Sequence, residues 1–174
     1  MKQVFQSLKD GQVSLDEVPI PTVKDGYVLI RTTKSLISSG TEKTLLNFGR
    51  SNYLGKALQQ PDKVKQAIDK MKTDGILSTY DSISNKLSEP MEIGYCNVGT
   101  VIAVGEGVKD FKIGDRVASN GKHAEIVNVS KNLCAKIPDE VSDLDAVFTV
   151  LGSIGLHGIR LSKPSIGEKF AVIG

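Results

Sequence analysis

Two short stretches of the chain hold side chains that could transfer a proton or orient a polar ligand. Residues 38–42 read SSGTE, and residues 94–97 read GYCN. A phenol such as that of Tyr95 can give a proton to a carbonyl oxygen or accept one from an alcohol. The two cysteines, Cys96 and Cys134, match no zinc-ribbon, CxxC or disulfide spacing. Neither a redox pair nor a structural disulfide is therefore expected.

Each candidate side chain also has a structural interpretation. Tyr95 either exchanges a proton with a bound carbonyl or packs inside the fold with its hydroxyl hydrogen-bonded. Cys96 is interpreted as a small buried hydrophobe rather than a nucleophile, because the sequence places no base beside it. Glu42 either orients a hydroxyl of a bound ligand or caps the helix that begins at Thr41.

The other polar candidates have the same two interpretations. Residues 38–40 form either a tight turn that approaches a ligand or a plain structural turn. His123 and His157 could each relay a proton, although a structural role with satisfied hydrogen bonds is favoured for both.

The composition narrows the function classes. The 174 residues carry a formal net charge of +2, which is too small to favour a nucleic acid or an anionic membrane as partner. Aromatic residues are scarce and Trp is absent, which argues against a stacking platform for single-stranded nucleic acid. The sequence shows no apolar leader and no apolar run long enough to span a bilayer, so we expect a cytoplasmic protein with reduced thiols.

The elements that position the candidates change character along the chain. Residues 1–46 are predicted to be β structure, with a hairpin first and then a strand over residues 26–37 that is buried on both faces. Residues 47–90 carry apolar residues at helical spacing, with a proline at a helix start and a glycine at its end, and are predicted to be a helical insertion. Residues 91–142 return to short strands separated by turn residues, which is typical of a small barrel.

The glycines of the second β region are predicted to lie at barrel corners and turns. The reason is that glycine alone adopts positive φ without strain. The positions are Gly99, Gly105, Gly107 and Gly114.

The last part of the chain reads as a helix followed by a buried strand over residues 167–174, GEKFAVIG. A helix and then an apolar strand ending in glycine is how a dinucleotide-binding βαβ unit begins, so Gly174 would be the first glycine of a GxGxxG fingerprint. The helix itself contains Gly152 and further glycines at near-helical spacing. Close packing is favoured for them, and contact between Gly152 and a cofactor is the alternative.

The order of these motifs resembles that of the medium-chain dehydrogenase/reductase superfamily, in which a GroES-like barrel precedes a Rossmann domain. The resemblance rests on GYCNVGTVIAVGEGVKDFKIGDRV, HAEIV and KIPDEVSDLDAVF. It implies a GroES-like catalytic domain over residues 1–142, with the insertion at 47–90, and the truncated start of a Rossmann domain over residues 143–174. The fold class is thus mainly β with helices, and we expect the chain to be part of a longer protein.

A narrower resemblance is to the bi-domain oxidoreductases. It rests on SLISSGTE, GYCNVG and VLGSIGLHGIR. In that subfamily a Gfo/Idh/MocA-type half often follows the dehydrogenase half, and the genes often lie near those of surface-polysaccharide biosynthesis.

The chain departs from the zinc-dependent members of the superfamily at the ligand positions. Ser38 lies in the segment where they place a cysteine, and Tyr95 stands where they have a histidine. Neutral hydroxyls are not usual zinc ligands, and a catalytic zinc takes about three protein ligands from Cys, His or carboxylate groups. The lobe that holds a structural zinc in the family is also missing. A zinc-independent member is therefore expected.

The resemblance implies hydride transfer between a nicotinamide cofactor, NAD or NADP, and an alcohol or carbonyl compound, such as a sugar or sugar nucleotide. It implies two sets of site residues, the catalytic set Tyr95, Ser38, Glu42, Cys96 and Asn97 and the cofactor-binding set Ser39, Gly40, Thr41, Gly152 and Gly174. This chain alone is not expected to bind the cofactor tightly, because the pyrophosphate-binding helix N-terminus is absent.

Three further expectations concern partners. The substrate is a small molecule, neither nucleic acid nor membrane is a partner, and a homo-oligomer is left open.

The helix and strand from Asp143 onward lack their sheet, so they are expected to be disordered or paired with another copy. The alternative function is a GroES-like binding module without turnover.

Overall fold

The computed structural model describes residues 1–173, apart from the side chain of Tyr53. The strands in this part of the chain are β1 (Lys2–Ser7), β2 (Val13–Glu17), β3 (Tyr27–Ser35), β4 (Pro90–Glu92), β5 (Asn97–Val104), β6 (Arg116–Ser119), β7 (Ile126–Ser130) and β8 (Cys134–Lys136). They form two antiparallel sheets with the orders β2-β1-β4 and β7-β3-β5-β6-β8. A bridge between Gln3 and Ala124 joins the two sheets.

The helices are α1 (Thr41–Arg50), α2 (Tyr53–Gln59), α3 (Pro61–Asp74), α4 (Ile76–Ser88), α5 (Asp143–Ala146) and α6 (Thr149–Ser162). The first four form the predicted insertion between two β regions, which confirms the mixed β and helical class, although helices hold the larger share of residues. The insertion begins at Thr41 rather than at residue 47. Its early start follows from Gly40 at the N-cap position and Glu42 in the first turn, where the helix dipole favours an acid.

The core of the larger sheet lies on the first half of β3. Val28 and Ile30 are fully buried and pack with Val101, Val117 and other apolar residues of β5, β6 and β7. Leu29 on the other face is also buried, so the prediction of a strand buried on both faces is confirmed for this half. The second half of the strand is largely exposed from Arg31 onward.

A bulge interrupts the pairing of β3 with β5. Thr32 lies opposite Gly99 and Lys34 lies opposite Val98, so Thr33 is the extra residue. The Thr33 hydroxyl donates to Asp143 Oδ2 at 2.6 Å. The bulge therefore turns a side chain of the central sheet toward the start of α5, in the way that bulges re-aim residues elsewhere.

Two side chains attach the helical insertion to the first hairpin. Gln6 is buried and its Nε2 donates to the carbonyl oxygen of Leu45 at 2.8 Å. Lys56 is also buried, and its Nζ donates to the carbonyl oxygens of Lys9, Gly49 and Ser51 at 2.7–2.8 Å. The lysine therefore satisfies carbonyls near the end of α1 and in the β1–β2 turn at the same time.

The glycine predictions are half right. Gly107 and Gly114 have φ of 76° and 93°, which confirms their place in turns. Gly99 and Gly105 do not have positive φ. They are required by close approach instead, because a Cβ at either position would clash with the carbonyl oxygen of Arg31 or Lys24.

The C-terminal region departs most from its prediction. Residues 163–173 form no strand, and Phe170 and Val172 are exposed. A parallel strand needs sheet neighbours, and within the described residues no strand lies beside this segment. The helix α6 is regular but has no buried side chain. A Cβ at Gly152 would meet nothing within 4 Å, so the predicted close packing of that glycine is not seen.

Two sequence predictions concern the end of the chain and its relation to membranes. Gly174, the expected fingerprint glycine, lies outside the described residues. Over residues 1–173, no helix combines the length and the apolar character that crossing a bilayer would require.

Candidate active site

The first turn of α1 folds back on the segment that precedes it. The Ser38 N–H donates to Glu42 Oε1 at 3.0 Å, and the Glu42 N–H donates to the Ser38 carbonyl oxygen at 3.2 Å. Ser38 and Glu42 are both buried. These contacts fit the capping interpretation of Glu42, and its orienting role toward a ligand stays a prediction.

The second oxygen of the same carboxylate contacts a histidine. Glu42 Oε2 lies 3.1 Å from His123 Nε2. Glu42 is only 4% exposed and His123 only 8%. An ionised carboxylate can only accept hydrogen bonds, so Nε2 carries the proton of this contact. A buried acid left without a partner would be strongly destabilising, so the histidine and the Ser38 N–H together keep Glu42 in place.

The position of His123 depends on Gly94. Gly94 has φ of 98°, and a Cβ there would lie 2.7 Å from ring and backbone atoms of His123. The His123 N–H donates to the Ile93 carbonyl oxygen at 2.9 Å, which fixes the backbone beside the β4–β5 segment. Nδ1 is buried and has no hydrogen-bond partner among the described residues. In a neutral imidazole that carries its proton on Nε2, Nδ1 is an acceptor.

Tyr95 reaches the outer side of this cluster. Its hydroxyl donates to Thr41 Oγ1 at 3.3 Å. Tyr95 is half-buried, and Thr41 is exposed as the first residue of α1. The phenol is therefore hydrogen-bonded, as its structural interpretation requires, and it is also accessible to a ligand.

Cys96 closes the cluster on its inner side. The residue is fully buried, and burial raises the pKa of its thiol, with a smaller contribution from the Glu42 carboxylate. The backbone N–H of Leu151, in the first turn of α6, opposes that rise. The thiol is neutral at ordinary pH, which fits the interpretation of Cys96 as a buried hydrophobe.

The other predicted site residues lie outside this cluster. Asn97 is buried, but its Nδ2 donates to Thr32 Oγ1 at 2.9 Å and to the Lys122 carbonyl oxygen at 3.4 Å. Ser39 and Gly40 are exposed at the N-terminus of α1, and Gly152 and His157 are exposed on α6. Their cofactor and relay roles stay predictions.

The donor set does not fit a catalytic zinc. Within residues 1–173, no three Cys, His, Asp or Glu side chains lie close enough to one another to hold a metal ion. The nearest candidates, Glu42 and His123, are already engaged because they bond each other. The absence of zinc remains a prediction that rests on this side-chain chemistry.

The family described as the alcohol dehydrogenase GroES-like domain matches residues 68–158, just over half of the chain. The chain belongs to this family. Its relatives also place this GroES-like chain in the medium-chain dehydrogenase/reductase superfamily, as the resemblance implied.

Two curated relatives show how much of a whole enzyme the GroES-like chain represents. It is 30% identical over 112 residues to (R,R)-butanediol dehydrogenase of Bacillus subtilis, covering 49% of this chain and 32% of that protein. It is 23% identical over 197 residues to sorbitol dehydrogenase 2 of Saccharomyces cerevisiae, covering 95% of this chain and 46% of that protein. The chain therefore spans less than half the length of these relatives.

Solved structures show the same fold. Galactitol-1-phosphate dehydrogenase from Escherichia coli superposes with a TM-score of 0.65 at 20% identity, covering 94% of this chain and 45% of that one. Quinone oxidoreductase from Coxiella burnetii superposes with a TM-score of 0.66 at 20% identity, covering 97% of this chain and 47% of that one. The predicted GroES-like fold with a partial Rossmann-like region is confirmed.

His123 is the residue whose place in the site the sequence did not reveal. The sequence indicates only a relay or a structural role for it, and its partner Glu42 lies 81 residues away. Leu151 was missed as well, since its contribution is a backbone N–H. The one available signal was Gly94, a glycine next to a candidate tyrosine.

Proposed function

We propose that this GroES-like chain is the catalytic part of a zinc-independent, NAD(P)-dependent oxidoreductase that acts on an alcohol or carbonyl group. The observation that carries the proposal is the cluster of Tyr95, Thr41, Glu42 and His123 at the start of α1, in a chain of the alcohol dehydrogenase GroES-like family. The substrate is a small molecule, and a sugar or sugar nucleotide is the class we propose.

Tyr95 is the proton-transfer residue of the proposal. Its hydroxyl is the accessible acidic group of the cluster, and it is bonded to the Thr41 hydroxyl. Thr41 opens a helix of ten residues, and the partial positive charge at that end stabilises an oxyanion on the phenol or on a bound substrate. The phenol gives its proton to a carbonyl oxygen during reduction and takes it back during oxidation.

Glu42 and His123 are positioning residues in this scheme. Their buried contact fixes the first turn of α1 against the loop before β7, and thereby fixes Thr41 under the phenol. The adjoining Ser38 N–H contact orders the turn at residues 38–40. This support explains why a carboxylate is buried so close to the surface of the domain.

A nicotinamide cofactor, when bound, would supply or accept the hydride. The exposed hydroxyls of Ser39 and Thr41 and the first-turn amides of α1 suit the polar groups of such a cofactor. We also propose the domain division at residue 142, a cytoplasmic location, and the bi-domain subfamily. Their support is the motif order of the sequence.

The test uses the whole product of the gene that encodes this sequence. Oxidation of reduced nicotinamide is followed with a panel of ketones, sugars and nucleotide sugars, and the Tyr95→Phe variant is compared with the parent. Loss of a general acid should lower kcat by about 10²–10⁴-fold. Tyr80→Phe is the matched control, because Tyr80 is exposed on α4 and should leave kcat unchanged.

Two results would contradict the proposal. A Tyr95→Phe enzyme with the kcat of the parent would remove the phenol from the mechanism. About one zinc per chain by elemental analysis, together with inactivation by a chelator and recovery with zinc, would overturn zinc independence. A gene product that turns over nothing in the panel and binds no NADH or NADPH would favour the non-catalytic module instead.

A further inference from the structure

A cavity of about 600 Å³ lies within the helical insertion, away from the cluster described above. It is bounded by the α3–α4 hairpin, by α2 and by two residues of the segments packed beneath them. Its volume lies within the range of small-molecule sites.

The apolar part of this lining is not packed as a core. The helix α3 has no buried residue, and Val64 and Ala67 on its inner face are only half-buried. Ile83 and Leu87 on the facing side of α4 are half-buried as well. These four residues form an apolar stripe, and a helix hairpin normally buries such a stripe against its neighbours. Here the stripe lines an open volume, which suits an apolar ligand segment.

The charged part of the lining has a single sign. Four lysines line the cavity and no aspartate or glutamate does. Lys56 bonds three carbonyl oxygens, so it belongs to the scaffold. Lys70 has a long contact of 4.0 Å with Asp74, while Lys63 and Lys86 form no ion pair with any residue in the described part of the chain. The cavity is therefore complementary to an anion.

We propose that this cavity binds an alkyl phosphate monoester, with its hydrocarbon chain between α3 and α4 and its phosphate at Lys63 and Lys86. A phosphate monoester carries a charge of about −1.5 to −2 near neutral pH, which matches these two lysines better than the single charge of a carboxylate. Lysine binds phosphate as a point charge and requires no fixed geometry. The site is separate from the proposed oxidoreductase site and does not depend on it.

Calorimetry on the full chain tests the proposal with dodecyl phosphate, kept below its micelle concentration. We expect one molecule bound per chain and no heat with inorganic phosphate, because the alkyl chain supplies the apolar contacts. Dodecyltrimethylammonium has the same chain and the opposite charge, so it should bind at least about tenfold more weakly. Equal binding of the cationic and anionic probes, or equal binding of dodecanoate and dodecyl phosphate, would overturn the assignment.

Variants separate the cavity from general surface attraction. Lys63→Gln with Lys86→Gln should weaken dodecyl phosphate binding about fivefold to twentyfold, since each exposed ion pair contributes up to about 1 kcal/mol. Lys65→Gln with Lys72→Gln is the matched control, because these lysines lie on α3 but do not line the cavity. Ala67→Phe fills the volume and should abolish binding while circular dichroism stays unchanged.

Three outcomes count against the site. These are an equal loss in the two double-lysine variants, full binding by a folded Ala67→Phe protein, and a dimer in sedimentation that Ala67→Phe breaks up. The last would assign the apolar stripe to a second copy of the chain. None of these measurements involves turnover, so they do not affect the oxidoreductase proposal.

Discussion

Replacing Glu42 with alanine should strongly destabilise this protein. The change leaves the Ser38 N–H and the His123 Nε2–H without their acceptor in a region that is almost fully buried. Each buried donor left unsatisfied costs about 1–3 kcal/mol, so the loss of two partners should lower the free energy of unfolding by about 2–6 kcal/mol. For a chain of this size the Tm should then fall by roughly 5–20 °C.

Urea unfolding followed by far-ultraviolet circular dichroism measures the effect, since the chain has no Trp to report by fluorescence. Glu42→Gln keeps the shape and one acceptor oxygen, so it should lose less than half as much stability. Glu140→Ala is the surface control and should stay within about 0.5 kcal/mol of the parent. A double-mutant cycle with His123→Leu should give a coupling energy of at least about 1 kcal/mol.

The reasoning fails if Glu42→Ala unfolds at the same urea concentration as Glu140→Ala. It also fails if the losses of Glu42→Ala and His123→Leu simply add. Either result would mean that the contact between the two side chains contributes nothing to the folded state.

Three further predictions follow from other buried or charged groups. Lys56→Met should lower the free energy of unfolding by about 2–4 kcal/mol in a urea titration, because three carbonyl oxygens lose their donor. The pKa of Asp143 is lowered from its usual 3.8 by the hydrogen bond from the Thr33 hydroxyl and then by the Arg116 guanidinium. The stability lost in Asp143→Asn, about 1–2 kcal/mol near neutral pH, should therefore shrink as the pH falls below about 4, where the parent also becomes protonated. Burial raises the pKa of Cys134 to about 11 and also raises that of Cys96, so iodoacetamide should modify neither thiol at pH 8 until urea is added. Rapid labelling of the folded chain would contradict this.

The elements that the sequence predicted well are those with a local signal. The first hairpin, the long strand β3 and the helices α3 and α4 follow from apolar spacing together with Pro61 and Gly75, which mark a helix start and end. The three-residue strand β4 has no such signal. It exists because it pairs with β1 across the sheet, which is a tertiary effect. The predicted strand over residues 167–174 had the local signal but lacks neighbouring strands among the described residues.

The candidate site also combines residues that the sequence predicted with a contact that it could not predict. Ser38, Glu42, Tyr95 and Cys96 were singled out from the sequence, and the structure brings them together with Thr41 at the start of α1. Asn97 was grouped with them as a position facing the site where zinc-dependent relatives hold the metal. It is the first residue of β5, and its amide donates to Thr32 and Lys122 instead. The contact with His123 could not be predicted, because a pair so distant in the chain depends on how the sheets meet.

The bulge at Thr33 confines the effect of a deletion at that position to one contact. Because Lys34 already lies opposite Val98, the neighbour of Gly99, loss of Thr33 would close the bulge and leave the residues that follow it on their present faces. The start of α5 is the part of the protein that depends on the extra residue, since Asp143 would lose the hydroxyl that it accepts from.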